Sequence, residues 1–350
     1  MSGMYEYVGA LHIHSVFSDG SGEIPGIASD AGECGLDFIL ISDHNTLRGL
    51  EEGYEKWFGN TLVLIGCEIN DRKNQNHYLA LGIEKTVSTR LPAKEYVRKV
   101  NELEGFGFIA HPHEKRSSIP EHPPYPWTEW DCDEFTGIEI WNHMSEWMEG
   151  LTEQNKFNYF IHPLKSIIAP PEETLKVWDE VSIKRKVVGV GGVDAHAHKV
   201  NVLGFFEVEV FPYKVLFKSV RTHILSKEKI VAGDNNSVKI SKGIIYNALK
   251  EGRCFISNHN IADASSFRFY AEEEGAEYQM GETVKFSPLV MLKVVLPREQ
   301  ALIKLIHNGR KIDEIQGLKA DFRPPAAGIY RIEVYLHNNA WIFSNHIRIE

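Results

Sequence analysis

The chain has 350 residues, 43% apolar and 25% charged, the composition of a globular protein long enough for one large domain or two ordinary ones. Its 38 Lys and Arg against 48 Asp and Glu leave a formal charge of −10, which argues against nucleic acid or an anionic membrane surface as partner. No apolar run reaches the about 18 residues of a membrane span, and the first ten residues have neither region of a secretory signal. Cys34, Cys67, Cys132 and Cys254 are scattered and read as free thiols, so a cytoplasmic location is expected.

In chain order, short apolar runs alternate with helical segments. Strands are expected over 7–13, 37–42, 61–69, 77–83, 105–111, 136–142 and 186–194. Helices are expected over 24–35, 46–58, 92–105, 145–161 and 171–182, with Pro92 and Gly105 bracketing the third. This alternation predicts an α/β fold with a largely parallel sheet, open or closed into a barrel. Only the polar stretch 70–76 separates the third and fourth strands, which fits a hairpin. A helix over 241–254 closes this part. From about Phe267 five stretches alternate apolar and polar residues between turn signals, the pattern of a small antiparallel β-sandwich. The expected domains are 1–258 and 259–350.

Eleven of the sixteen histidines fall in the first 200 residues, and they include three His-x-His pairs: His12/His14, His111/His113 and His196/His198. Each pair sits where an apolar run ends. Residues i and i+2 of a strand share a face, so both imidazoles of a pair can reach one cation. Strand ends are also where sites collect in α/β sheets. The same ends carry Asp19, Asp43 with His44, Glu68, His77, Asn142 with His143, and Asp194. Glu68 terminates an apolar run, where a carboxylate without a partner would be costly. Nitrogen and oxygen donors without thiolates suit Zn, Mn or Fe, and so many of them suggest two or three divalent ions.

Asp43 reads as a group that hydrogen-bonds a ligand or a water rather than a ligand itself. Lys115 and Arg116, just after the second pair, are candidates for binding a substrate phosphate or carboxylate. The Pro- and aromatic-rich segment 123–135 reads as a lid, a pocket wall or surface packing. His122 and His162 precede prolines and read as loop residues. Gly189, Gly191 and Gly192 do not form a dinucleotide site, because Asp-Ala-His follows them.

The segments "HIHSVFSDGS", "ISDHNT", "CEIN", "AHPH" and "DAHAH", in this order, resemble the PHP (polymerase and histidinol phosphatase) superfamily of metal-dependent hydrolases. "GRCFISN", "MGETV", "LIHNGRKIDE" and "AWIFSNHIRI" resemble the accessory domain of its carbaryl-hydrolase-like branch. The resemblance implies a distorted seven-stranded TIM-like (β/α) barrel followed by the β-sandwich. His12, His14 and Asp194 would hold one metal, with Glu68 bridging to a second that His111 also binds. Asp19, His44 and His196 would hold a third. The remaining ligand of the second metal would be His143, with His77 and Asn142 as competitors. The function implied is a phosphoesterase acting on a small, anionic phosphate ester through a metal-bridging hydroxide, with His113, His198 or Asp43 delivering a proton. Carboxylic ester, carbamate or amide hydrolysis by the same metals, or a non-catalytic metal-binding module, are the alternatives.

Overall fold

The seven apolar runs each contain a strand in the computed structural model, which describes residues 3–116, 123–202 and 206–350. β1 (Tyr5–Ile13) pairs in parallel with β2 (Phe38–Ile41). β3 (Trp57–Phe58) folds back on β4 (Thr61–Ile65), and β4 is parallel to β2. At Gly66 the chain passes into a second sheet, formed in order by β5 (Cys67–Ile69), β6 (Tyr78–Leu81), β7 (Phe106–Ile109), β8 (Gly137–Asn142) and β9 (Val188–Gly192). A Cβ at Gly66 would stand 2.5 Å from the Leu81 side chain and 2.8 Å from the Ala80 carbonyl oxygen, so the bend requires glycine.

β6 runs antiparallel to β5 and β7, whereas β7, β8 and β9 are mutually parallel. The sheet is therefore less uniformly parallel than expected. Beyond β9 the chain returns to β1: the Val193 N–H donates to the Leu11 carbonyl and the His14 N–H to the Ala195 carbonyl, both at 2.9 Å. As ladders, the seven runs are divided between two sheets and form no single closed barrel.

Helices cover the sheets with one apolar face each. α1 (Ile24–Glu33) buries Ile24, Ile27, Ala28 and Ala31, the i, i+3, i+4, i+7 stripe of a 3.6-residue period. The helix expected over 46–58 shrinks to α2 (Arg48–Glu51), because Gly53 turns left-handed at φ 76° and Trp57 and Phe58 pair with Leu62 and Thr61 instead. α3 (Ala93–Glu102) buries Ala93, Tyr96, Val97 and Val100. The helix expected over 145–161 divides at the extended Leu151 into α4 (His143–Gly150) and α5 (Lys156–Ile161). α6 (Glu172–Lys184) follows.

Beyond a hairpin of β10 (Lys199–Val202) and β11 (Phe206–Glu209), and α7 (Tyr213–Leu216), lie two strands that no apolar run announced: β12 (Val220–Ser226) and β13 (Cys254–Asn258). β12 carries Arg221, Thr222, His223 and Ser226, all buried. Lateral bonds make this tolerable. Thr222 Oγ1 donates to the Gly191 carbonyl at 2.9 Å, and His223 lies between Glu6 (2.9 Å) and Ser257 (2.8 Å). Between these strands α8 (Asn235–Glu251) starts six residues earlier than expected, capped by Asp234, and stops at Gly252 with φ 76°.

Ten further strands run from β14 (Arg268–Glu273) to β23 (Ile347–Ile349), nearly all antiparallel. They enclose an apolar cluster that includes Phe269, Leu292, Ile303, Ile332 and Trp341. β22 (Asn339–Ser344) pairs directly with β13, so one sheet runs across the two parts. A buried ion pair adds a second tie: Asp179 of α6 accepts two 2.8 Å bonds from Arg331 of β21 (Gly328–Leu336) and a 2.7 Å bond from His346. The four cysteines are free thiols, and no described helix is long and apolar enough to cross a membrane.

Candidate metal centre

The ends of β1, β2, β7 and β9 and the start of β5 converge on one carboxylate. Glu68 is 1% exposed. Its Oε2 lies 3.0 Å from His12 Nε2, 3.1 Å from His14 Nε2 and 3.4 Å from His44 Nδ1. Its Oε1 lies 2.6 Å from His77 Nδ1 and 3.3 Å from His111 Nε2. Asp194 Oδ1 sits 3.3 Å from His12 and 3.4 Å from His14, and Asp19 reaches His196 at 3.3 Å.

The backbone is bent to achieve this. His12, His111 and Asp194 adopt φ of 63°, 27° and 53°, a region that L-residues other than Asn and Asp rarely enter, and the β1–β2 register shifts between Ala10 and Ile13. His12 and His14 converge through this irregularity, with ring centroids 5.2 Å apart, rather than through regular strand alternation.

Four overlapping groups have ligand atoms within 4.8 Å of one another: His12, His14 and Asp194; His12, Glu68 and His111; His44, Glu68 and His77; and His14, Asp19, His44 and His196. The donor set fits divalent cations. Both ring nitrogens of His14, His44 Nδ1, His77 Nε2 and His111 Nδ1 are buried without a hydrogen-bond partner, a costly arrangement for polar atoms.

Other candidates stand elsewhere. His143 joins none of these groups among the described residues. It is buried with both ring nitrogens unpartnered, and burial lowers its pKa to about 3. Asn142 is committed as the cap of α4, with Oδ1 accepting from the Ser145 N–H, and its Nδ2 donates to Glu139. Asp43 accepts from the Ser15 N–H and hydroxyl and from the Ser18 hydroxyl at 2.6–2.7 Å, so it braces the turn that carries Asp19. His113 bonds Thr174 at 3.0 Å and stacks on Trp130, away from the cluster. Lys115, 62% exposed, pairs with Glu173. His122 lies outside the described residues.

A cavity of about 350 Å³ opens over the cluster, and Arg116, His198, Asn74, Tyr125, Met144 and Met148 line it beside the candidate ligands. Arg116 pairs with the buried Glu114 and stands 5.0 Å over the Tyr125 ring, which in turn stacks on His77 at 5.2 Å. Its Nε is buried without a partner. Sequence reasoning reached Tyr125 only through the segment 123–135, read as a lid, a pocket wall or surface packing, and missed the two methionines and the buried Glu139. Only Glu139 left a signal, a charge inside the apolar run "GIEIW".

Charge is tightly organised. Burial alone would raise the Glu68 pKa, yet His12, His44 and His77 hold it well below the carboxylate range. Burial alone would lower His14 and His111. The carboxylates outweigh it, Asp194 and Glu68 pushing His14 up to about 10 and Glu114 and Glu68 pushing His111 up to about 9. At pH 7 these rings therefore carry protons where a cation would stand. Zinc binding is expected to release about two protons, and its affinity to fall as pH drops. Calorimetric titration in buffers of different ionisation enthalpy measures this, and heats independent of the buffer would contradict it.

These features define an α/β protein with a buried histidine–carboxylate cluster suited to divalent metals. The chain matches the PHP domain over residues 10–111, which supports its assignment to the PHP superfamily. It is 30% identical over 116 residues to an uncharacterized protein of Methanocaldococcus jannaschii, MJ1587, a match spanning 29% of this chain and 66% of that one. Among solved structures, it resembles a two-domain protein from Bacteroides vulgatus containing a predicted PHP-like metal-dependent phosphoesterase. The TM-score is 0.46 at 15% identity, covering 98% of this chain and 96% of that one. A protein from Bifidobacterium adolescentis described as a metal-dependent phosphoesterase gives 0.36 at 15% identity, over 57% and 92% of the two chains. At these scores neither structural likeness bears on substrate.

Proposed function

We propose that this protein is a metal-dependent phosphoesterase acting on a small-molecule phosphate ester. Arg116 carries the reading: its guanidinium lines the same cavity as Glu68, His111 and His196 and keeps one buried N–H without a partner. A planar fork of donors suits two oxygens of a phosphate, and Glu114 and Tyr125 already hold it in place. Two or three bound divalent ions (Zn, Mn or Fe) would supply Lewis acidity and lower the pKa of water. His12, His14 and Asp194, then Glu68 with His111 and His77, then Asp19, His44 and His196 would hold them. His198, which lines the cavity and stacks on His196 at 5.0 Å, is our choice for handing a proton to the departing oxygen.

The bonds joining residues 193–195 to β1 support reading the seven strands as a distorted barrel that gathers these ends into one mouth. The separate apolar cluster of the C-terminal strands supports treating 259–350 as an accessory unit.

Met144 and Met148 favour a second reading, carboxylic ester, carbamate or amide hydrolysis, because they offer an adaptable apolar wall to a leaving group. Metal-loaded wild type and Arg116→Ala, assayed side by side with p-nitrophenyl phosphate and p-nitrophenyl acetate, separate the two. The phosphate should turn over faster, and R116A should lower its kcat/KM about 10–100-fold, the worth of a charged hydrogen bond, while sparing the acetate. Faster acetate turnover indifferent to Arg116 would favour the second reading. No metal-dependent turnover of either would argue against catalysis.

A further inference from the structure

Glu139, midway along β8, is a carboxylate outside every ligand group, and it is 1% exposed. One of its oxygens, Oε1, accepts from His12 Nδ1 at 2.9 Å. The other, Oε2, accepts from the His111 backbone N–H at 2.9 Å and from Asn142 Nδ2 at 2.8 Å. An ionised carboxylate only accepts hydrogen bonds, so the His12 proton shared with it resides on Nδ1. Nε2 faces Glu68, 3.0 Å away, and Asp194, 3.3 Å away, so it is the nitrogen left to a cation once the ring gives up any second proton. In the metal-free protein a proton on Nε2 joins the ring to Glu68, and a divalent cation can take that proton's place.

The bond to the His111 N–H acts on a second candidate ligand. It holds a backbone at φ 27°, a conformation that persists only where its surroundings over-determine it. Space for Glu139 comes from a third strand. A Cβ at Gly192 would lie 1.9 Å from Glu139 Oε1 and 2.9 Å from His12 Cβ, so a side chain there would expel the carboxylate.

We propose that Glu139 is the positioning residue of the metal centre: it fixes His12 as an Nε2 ligand and holds His111 in its strained pose, in a space that Gly192 leaves open. The role rests on the metal reading above. Carboxylates that orient ligand imidazoles typically change metal affinity 10–100-fold when replaced.

The test titrates Zn2+ into metal-free full-length wild type, Glu139→Gln and Glu139→Asp against a chromophoric chelator. Thermal unfolding and 15N spectra of the His12 ring are recorded on the same samples. E139Q should bind zinc about 10–100-fold more weakly while its metal-free Tm stays within a few degrees of wild type, and the Nδ1–H tautomer of His12 should be lost. E139D, with the charge kept but drawn back, should recover part of the affinity and the tautomer. Wild-type zinc affinity in E139Q, or an unchanged His12 tautomer, overturns the proposal. So does an affinity loss that E139D shares in full and that merely follows a fall in Tm. A wild type that binds no zinc overturns the metal reading itself, a result distinct from any difference between variants.

Discussion

Glu68→Ala should strip metal from more than one position of the centre at once. The carboxylate is shared: one oxygen faces His12, His14 and His44, the other His77 and His111, and two of the four candidate ligand groups contain it. Without it those groups retain imidazoles alone, with no negative charge of their own to balance a divalent ion. Elemental analysis should show at least two ions per chain fewer than wild type if three bind, and metal-dependent hydrolysis should fall about 10³-fold or more. Circular dichroism on the same sample shows whether the chain remains folded. Unchanged metal content would overturn the shared role of Glu68 directly.

Asp179→Ala should cost about 3–5 kcal/mol of stability, because it leaves a buried guanidinium short of its main counter-charge. Arg331 is 3% exposed on its side chain, and among the described acids only Glu333, at 2.7 Å, would still pair with it. Although burial alone would raise the Asp179 pKa, Arg331 and His346 hold it down near 2. A depressed carboxylate stabilises the fold above its unfolded pKa of about 3.9 and loses that contribution as pH falls through its folded value. Wild type should therefore lose stability between about pH 4 and pH 2, and Asp179→Asn should flatten this part of the profile. Urea unfolding at pH 7 and across the acid range measures both effects. Equal midpoints for wild type and D179A at pH 7 would show that the pair contributes nothing to the junction between α6 and the C-terminal strands.

The two residues differ in how visible they are before folding. Glu68 is conspicuous because a carboxylate closes the run "TLVLIGCE", and burying a charge demands a partner. Asp179 is one acid among several in the exposed-looking helix "PEETLKVWDEVS", and its partner lies 152 residues away. The same contrast holds for strands. β2 and β4 are continuous apolar runs and β1 is largely one, so they read as buried strands, whereas β12 conceals its nature behind Arg221, Thr222 and His223. Thr222 and His223 are satisfied by neighbours from β1, β9 and β13, and Arg221 by the Phe217 and Cys34 carbonyls, none of which local periodicity can register.

Local chemistry, then, was enough to establish the α/β alternation, the antiparallel character of the last ninety residues, and the donor types gathered at strand ends. Hydrophobic period, glycine and proline punctuation and ligand identity are properties of short segments. Long-range packing settled the rest: that His77 rather than His143 faces Glu68, that Lys115 turns outward while Arg116 lines the cavity, and that the C-terminal strands extend an existing sheet. Each of these depends on where a backbone bends and what stands opposite, and three of the bends occur at His12, His111 and Asp194, in left-handed conformations that long-range contacts hold in place.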